Sequence, residues 1–267
     1  MKNTIKASLV LVLICFLRIN TVQAQNFYME PSVHDKTSVG IRYLRPFFKE
    51  GEQLSGLAGT YEFSIRYSLN PRLKIIASIP YSIYSEKEIE TESGVGNLYL
   101  GLQIPQKNQK TNISVGINLP TASDNKMYPN VIGFFADYYR FNNYIPESFT
   151  FYGNFAYRSK NTDGAILALE AGPNVLISTG GNDFEMYLHY GLQGGYRFKS
   201  LSIFAELTGL MVLSEKDIDF SDRVVHNLSF GAEYSFNKLS LGVFYALYID
   251  DMFDEIRVLG VKLKIYF

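Results

Sequence analysis

The chain has 267 residues, of which 47% are hydrophobic and 19% are charged, and its formal net charge is −1. Its 25 basic residues do not exceed its 26 acidic ones, which argues against a nucleic-acid-binding protein, because neutralising phosphates needs a basic excess. The hydrophobic content excludes a disordered chain. What remains is a globular protein, or a β-barrel in which alternation along the strands hides the apolar residues.

The N-terminus has the three parts of a secretory signal peptide. Lys2 and Lys6 precede an apolar stretch from Ala7 to Leu17, and Val22-Gln23-Ala24 resembles an A-x-A cleavage site. We therefore predict that residues 1–24 are removed by cleavage after Ala24. The only cysteine lies within this segment, so disulfides are not expected to stabilise the exported protein.

The rest of the chain alternates between apolar and polar residues with a period of two. Because successive side chains of a strand point to opposite faces, each such run predicts a strand with one apolar and one polar face. A period of 3.6 residues fits none of the clearest runs, so helices are expected to be minor. In one run the apolar members are Tyr61, Phe63, Ile65, Tyr67 and Leu69; others cover 112–119, 149–158 and 184–193.

Thirteen strand-like runs follow one another between turn signals. Many have about 9 to 12 residues, which matches the 9 to 11 that cross a bilayer obliquely and exceeds the 5 or 6 typical of globular strands. They lie near 38–44, 60–69, 73–82, 96–104, 111–119, 131–140, 149–158, 165–177, 183–197, 201–212, 224–235, 239–248 and 256–267. A soluble β-sandwich would also alternate, but the strand length and the tyrosines near strand ends favour a membrane barrel.

We predict an all-β fold, a transmembrane antiparallel up-and-down β-barrel over residues 38–267, with 12 or 14 strands. Such barrels have an even number of strands and both termini on the periplasmic side. Strand directions counted from the two ends disagree near 149–177, so one run there is missed, merged or false. Residues 25–37 precede the barrel and are long enough to enter the lumen as a plug.

The last residues have a pattern typical of barrel proteins. A glycine, Gly260, is followed by the alternating apolar residues Leu263 and Ile265 and by a terminal Phe267. This pattern resembles the signal that the outer-membrane barrel assembly machinery recognises. Together with the signal peptide, it predicts the outer membrane of a Gram-negative bacterium as the location, with its lipid and the assembly machinery as partners.

Four short segments resemble motifs of one family. The glycine-rich segment Ser93 to Gly101 is similar to the strand-opening motif of the outer-membrane proteins named for the meta-pathway of phenol degradation, a family of transporters. Ile79-Pro80-Tyr81, Asn118 to Thr121 and Ala205 to Gly209 resemble further features of that family. Asn97 departs from the family pattern, in which an Asp is usual. The resemblance implies an uptake barrel for small solutes, including aromatic or otherwise hydrophobic ones.

The polar faces of the predicted strands carry both acids and bases. Such a mixture can line a water-filled lumen and select among solutes, which favours a porin-like channel or transporter. The alternative is an interior filled by side chains that conducts nothing, although twelve or more strands leave room for a lumen. The candidate lumen residues are Glu62, Arg66, Arg158, Glu170, Glu185, His189, Arg197, Glu206, Glu233, Lys262 and Lys264.

An enzyme is not predicted. The chain has three histidines, and no motif joins His189 and Glu185 to the nearby Ser202 as an acyl-transfer site would require. No sequence spacing typical of a metal site occurs, and neither a cofactor nor a catalytic residue is expected. A structural or adhesive barrel and a lipid-modifying barrel enzyme remain as alternatives to transport, but the connections 213–223 and 249–255 are short for an adhesive surface.

Overall fold

A computed structural model of the chain describes residues 28–29, 36–49, 54–87, 90–106, 110–159, 163–181, 184–215, 219–250 and 255–267. The predicted signal peptide and most of the predicted N-terminal segment lie outside these ranges. Within them, thirteen strands form one sheet. They are β1 (Ser38–Phe48), β2 (Gly59–Asn70), β3 (Leu73–Tyr84), β4 (Glu92–Val95), β5 (Leu98–Pro105), β6 (Thr111–Leu119), β7 (Ser148–Arg158), β8 (Gly164–Ser178), β9 (Phe184–Phe198), β10 (Leu201–Val212), β11 (Val224–Phe236), β12 (Leu239–Tyr248) and β13 (Ile256–Tyr266).

The sheet closes on itself because β1 pairs with β2 on one side and with β13 on the other, both antiparallel. The other strands pair mainly with their neighbours in the chain, as in an up-and-down barrel. The short β4 pairs with the Tyr81–Tyr84 end of β3, and β5 pairs with its Lys74–Ser78 end, so the two share one position in the wall. The described strands therefore close a barrel of twelve, which confirms the predicted fold and the lower of the two strand counts.

The prediction of a strand near 131–140 is wrong. Met127–Ala136 forms a helix, α1, and Tyr138–Tyr144 continues as a 3₁₀ segment with a kink at Arg140. Apolar residues occur here at both odd and even positions, so the run does not alternate as a strand with one apolar face would. The buried residues of the helix are three and four positions apart, as expected for one helix face: Pro129, Asn130, Ile132, Gly133 and Ala136. With this run removed, the twelve remaining runs match the barrel and the disagreement in strand direction disappears. No helix in the described ranges is long and apolar enough to cross a membrane.

The outer surface of the barrel is apolar and the inner surface is polar. On β2, Phe63 and Ile65 point outward with exposed fractions of 48% and 52%, whereas Arg66 points inward and is 8% exposed. A water-soluble β-protein buries its apolar face instead. An outward apolar band around a polar interior is typical of barrels in the outer membrane, so the predicted faces of the strands are confirmed.

Short turns and long connections lie at opposite rims. The strands meet through two-residue turns at 71–72, 199–200 and 237–238, and the chain ends at the same rim, where the Phe267 amide donates to the Thr37 carbonyl at 3.0 Å. Because bacterial outer-membrane barrels have short turns on the periplasmic side and longer loops outside, this rim is the inner one. The longest connection, 120–147, starts and ends at the outer rim.

Candidate functional site: the barrel lumen

The connection between β6 and β7 folds into the lumen. Its part from Met127 to Tyr144, here called the lumenal segment, consists of α1 and the 3₁₀ segment. Three of its residues, Ala136, Tyr139 and Phe141, belong to one buried apolar cluster with inward side chains of the wall. The wall members of this cluster include Leu44, Leu176, Phe204, Leu210 and Phe244. Burial of these apolar groups stabilises the segment inside the barrel.

Asn97 fixes the point where the chain leaves and rejoins the wall. Its Nδ2 donates to the carbonyls of Asn142 at 2.9 Å and Ile145 at 2.7 Å, and its Oδ1 accepts from the Ala122 amide at 2.9 Å. Its own amide donates to the Asn143 carbonyl at 2.6 Å. Asn97 thus interrupts the wall between β4 and β5 and holds both ends of the lumenal connection.

Three of the family-like segments meet at this interruption. The Gly96 amide donates to the Pro80 carbonyl at 2.9 Å, and the Thr121 hydroxyl donates to the Gly96 carbonyl at 2.7 Å. A side chain at Gly96 would place its Cβ 2.4 Å from the Asn143 carbonyl oxygen, so only glycine allows the backbones to approach this closely. These residues are far apart in the sequence, so their contact could not be predicted from it.

Charged groups join the lumenal segment to the first two strands. Arg42 binds Glu62 at 2.6 Å and also binds Asp137 at the end of α1. Arg140 lies 3.5 Å from the same Asp137 carboxylate. The four side chains are 21% exposed or less and bring two positive and two negative charges together. Balanced charge is what makes burial of such groups tolerable.

Tyr28 and Met29, the described residues of the N-terminal segment before Lys36, also lie in the lumen. Tyr28 is 1% exposed and its ring packs edge-on against Phe244, with ring centres 5.3 Å apart. Its amide donates to Glu206 at 3.0 Å, and Arg140 donates to its carbonyl at 2.6 Å. Tyr28 therefore lies between the wall and the lumenal segment.

Every candidate lumen residue lies on an inward face. Several of them bind one another or nearby polar groups: Lys262 lies 2.5 Å from Glu233, Gln193 donates to Glu206 at 2.9 Å, and Arg197 donates to Ser202 at 3.1 Å. Buried members are Arg66, Arg158, Glu170, His189, Arg197, Glu206, Glu233 and Lys262, and partly buried ones are Glu62, Glu185 and Lys264. The placement agrees with a polar lumen, while a role of these residues in solute selection stays a prediction.

His189 is part of an aromatic stack. Its ring lies parallel to Tyr152 with centres 4.6 Å apart, and Tyr139 meets it edge-on at 5.8 Å. In the pairing of β9 with β10, His189 faces Leu210 and Ser202 faces Arg197. Eight residues of strand therefore separate His189 from Ser202, about 26 Å at ~3.3 Å per residue. The structure does not bring these two residues together.

A cavity lies between the lumenal segment and the wall. It is lined by hydroxyl and amide groups and by one guanidinium, contributed by both: Ser78, Tyr99, Asn118, Tyr139, Arg140, Asn142, Asn143, Thr150, Tyr152 and Asn174. Its unfilled space is about 450 Å³, including solvent at its mouth. Burial and the neighbouring Glu170 raise the pKa of Tyr139, whose hydroxyl donates to Glu170 at 2.7 Å, so it is a neutral donor.

Sequence reasoning missed the amide residues of this cavity. Asn118 and Asn174 occupy inward positions of β6 and β8, where they were indistinguishable from the other polar residues of the alternating pattern. Asn142 and Asn143 follow the run near 131–140, for which the sequence predicts a strand instead of the lumenal segment. The sequence nevertheless indicated an uncharged region of the lumen, because charged residues are absent from the inward positions 112, 114, 116 and 118 of β6.

A family model described as "Putative MetA-pathway of phenol degradation" matches residues 19–251. The chain belongs to this family. The resemblance seen in the short motifs is thereby confirmed over most of the chain's length. A comparison with the sequences of curated proteins finds no match.

Solved barrels share the fold. An outer-membrane channel from Pseudomonas putida F1 has a TM-score of 0.60 at 13% identity, covering 92% of this chain and 100% of its own. The CymD monoaromatic hydrocarbon channel has a TM-score of 0.50 at 11% identity, with 93% and 94% covered. LpxR from Salmonella typhimurium has a TM-score of 0.53 at 12% identity, with 86% and 100% covered. The chain has the β-barrel fold of these three proteins.

Proposed function

We propose that this barrel is a channel for small solutes and that the lumenal segment forms its constriction. The observation that carries the proposal is that a separate stretch of chain, 127–144, obstructs a twelve-stranded barrel. In a barrel that is closed permanently, side chains of the wall can fill the interior by themselves. An inserted segment that pairs with no wall strand can instead be displaced while the strand pairing of the wall stays intact.

The character of the lumen supports passage of compounds with an apolar part. Near the outer rim the lumenal segment presents an aromatic group in which Phe134 meets Phe135, Tyr138 and Phe141 at ring distances of 5.3, 5.1 and 5.9 Å. Towards the inner rim the wall is polar and charged. An aromatic entrance above a polar passage suits small hydrophobic or aromatic solutes, and the similarity to the CymD monoaromatic hydrocarbon channel is consistent with that class.

Solute flux into liposomes tests the channel. We expect measurable flux through the wild-type barrel and a severalfold higher conductance when residues 127–144 are replaced by a short Gly-Ser linker, because the obstruction is gone. The same linker in place of residues 213–223, a connection at the same rim, serves as the control. Heat-modifiable migration on gels verifies that each variant is folded. Equal conductance of wild type and the 127–144 variant would contradict the proposed constriction.

We further propose that residues 25–37 enter the lumen as a second obstruction, after export and cleavage following Ala24. The contacts of Tyr28 with Glu206 and Arg140 support this position. Deleting Asn26 to Lys36 is expected to raise conductance, and an unchanged conductance would remove the proposal. Cleavage is tested separately, because the protein purified from outer membranes should begin at Gln25.

We also propose that the outer-membrane barrel assembly machinery recognises the C-terminal strand. Gly260 lies under the Phe244 ring on the inward face of β13, whereas Leu263 and Ile265 lie on its outward face. Phe267, the residue after β13, is exposed as well. An outward apolar edge that ends in an aromatic residue is available to a receptor before the barrel closes. Deleting Phe267 is expected to reduce the folded protein in outer membranes at equal synthesis. Normal amounts of the folded variant would contradict the proposal.

A further inference from the structure

Four polar atoms of the cavity are buried without a hydrogen-bond partner among the described residues. They are the side-chain oxygens of Asn118, Asn142, Thr150 and Asn174, in residues that are 6%, 4%, 1% and 2% exposed. They come from three wall strands and from the lumenal segment. Most buried polar groups in proteins have a partner, so such a group needs an explanation. Four hydrogen-bond acceptors around one cavity indicate an occupant that supplies donors.

Aromatic rings form the other part of the lining. The Tyr99 side chain lies on the lumen side of Gly101 and Gly116. An added Cβ atom would come within 2.5 Å of the Tyr99 hydroxyl at Gly101 and within 2.5 Å of the Tyr99 ring at Gly116. Tyr152 stands edge-on to Tyr99 with ring centres 6.0 Å apart. These rings offer apolar faces to a flat or cyclic compound, while the amide oxygens offer acceptors beside them.

The cavity favours a neutral occupant. Among its described lining residues only Arg140 is charged, and Arg140 lies 3.5 Å from the Asp137 carboxylate and donates to the Tyr28 carbonyl at 2.6 Å. The unfilled space of the cavity is about 450 Å³, including solvent at its mouth, so a small ring compound can enter it. A hydroxyl group can lie among the amide oxygens, with the ring attached to it directed towards the mouth.

We propose that the cavity is a binding site for a neutral ring compound that carries hydroxyl groups. The hydroxyls donate to the oxygens of Asn118 and Asn174, and the ring lies against Tyr99 and Tyr152. A hydrocarbon of the same shape binds poorly, because it leaves the buried acceptors unpaired. This inference rests on the proposed channel, of which the cavity would be the selective site, but binding is measurable without transport.

Equilibrium dialysis of the barrel in nanodiscs, with empty nanodiscs subtracted to correct for partition into lipid, tests the proposal. Phenol and toluene are the central pair, since they have nearly the same shape and differ in one hydroxyl. Glucose is the third probe, because it carries hydroxyls on a saturated ring. We expect phenol, glucose or both to bind, and at least about tenfold discrimination against toluene. Phenol alone would identify an aromatic ligand, and glucose alone would identify a polyol.

Substitutions of the cavity residues test whether their side-chain oxygens cause the discrimination against toluene. Asn174→Leu and Asn118→Leu remove an amide at nearly constant size and should bring the favoured probe to within about twofold of toluene. Thr150→Val is a milder change that serves if a leucine variant does not fold. The matched control is Asn227→Leu, because Asn227 is a buried lumen-facing asparagine outside the cavity lining.

Three results would overturn the proposal: toluene binding as tightly as phenol, no probe binding above empty nanodiscs, or Asn227→Leu abolishing discrimination as fully as the cavity variants. The second result would mean that the cavity holds water only. Failure of this proposal is distinguishable from failure of the proposed function. Solute flux without binding of any probe would contradict only the proposed binding site. Absence of flux in liposomes would contradict the proposed channel.

Discussion

Arg42 on β1 binds the carboxylate of Asp137, although 95 positions separate the two residues in the chain. The same guanidinium binds Glu62 on β2 at 2.6 Å, so one side chain joins the lumenal segment to two strands of the wall. Arg140 adds a second positive charge at 3.5 Å from Asp137. The position of the lumenal segment therefore depends on a balanced set of buried charges.

Arg42→Met is expected to destabilise the barrel more than Asp137→Asn. The methionine leaves two buried carboxylates with one arginine, and breaking a buried pair costs about 3–5 kcal/mol. The asparagine retains a hydrogen-bonding oxygen for Arg42, which also keeps Glu62, so a loss of about 1–2 kcal/mol is expected. Urea unfolding in liposomes measures both values. An equal decrease in the free energy of unfolding for the two variants would contradict the view that Arg42 is the central residue of this charged group.

Asn97→Asp is expected to loosen both ends of the lumenal connection. The Asn97 amide donates two hydrogen bonds, to Asn142 and Ile145, which a carboxylate cannot donate. Two carbonyls would then face a negative charge, and unpaired buried groups cost about 1–3 kcal/mol each. Hydrogen exchange at residues 142–146 should accelerate at least about tenfold, since each 1.4 kcal/mol corresponds to a factor of ten.

Asn70→Asp is the control for that substitution. Asn70 lies at the inner rim, where its Oδ1 accepts a hydrogen bond from the Arg72 amide at 2.8 Å. An aspartate can accept the same bond, so exchange in this turn and in the lumenal connection should stay close to that of the wild type. Acceleration at 142–146 in both variants would show that added negative charge, rather than the lost donors, is responsible.

Gly96→Ala is expected to displace the lumenal connection and to raise conductance. The added methyl group would lie 2.4 Å from the Asn143 carbonyl oxygen and 2.6 Å from the Pro80 ring, so backbone must move. Overpacking of this kind costs about 1–3 kcal/mol. Gly194→Ala on β9 is the matched control, because its added methyl group would have no other atom within 4 Å. Single-channel recordings compare the two, and identical conductances would show that Gly96 does not position the constriction.

The wall of the barrel could be predicted from the sequence because lipid and lumen impose opposite chemistry on alternate residues. The faces of Phe63 and Arg66 follow from their polarity and their positions in the alternating run, and no distant contact has to be known. The lumenal segment lacks such a signal. Its Ile132 and Phe134 pack against other apolar groups of the protein, so the rule that apolar residues face lipid fails for them, and their run resembled a strand.

The role of Asn97 could not be predicted for a different reason. The family resemblance singled out the residue, but its side chain binds Asn142, 45 positions further along the chain. Hydrogen bonds of that range depend on how the lumenal connection folds back. Local patterns carry no information on such a path, and the cavity lined by Asn118 and Asn174 depends on it as well.

The ion pair of Lys262 with Glu233 gives a test of the lumen below the constriction. The two side chains lie 2.5 Å apart, are 8% and 0% exposed, and reach each other across β12. Gly242 is the residue paired with both, and its lack of a side chain leaves the path open. Lys262→Met or Glu233→Gln should each lower the free energy of unfolding by about 3–5 kcal/mol, because each removes one partner of a buried ion pair.

The double variant Lys262→Met/Glu233→Gln separates pairing from packing. If the charges compensate each other, the double variant loses less free energy of unfolding than the sum of the single variants, with a coupling of about 0.5–3 kcal/mol. Lys262→Met alone should also shift ion selectivity of the open lumen towards cations, since a negative charge remains, and the double variant should reverse that shift. Strictly additive losses in urea unfolding, with unchanged reversal potentials, would show that the pair neither stabilises the barrel nor faces the conducting path.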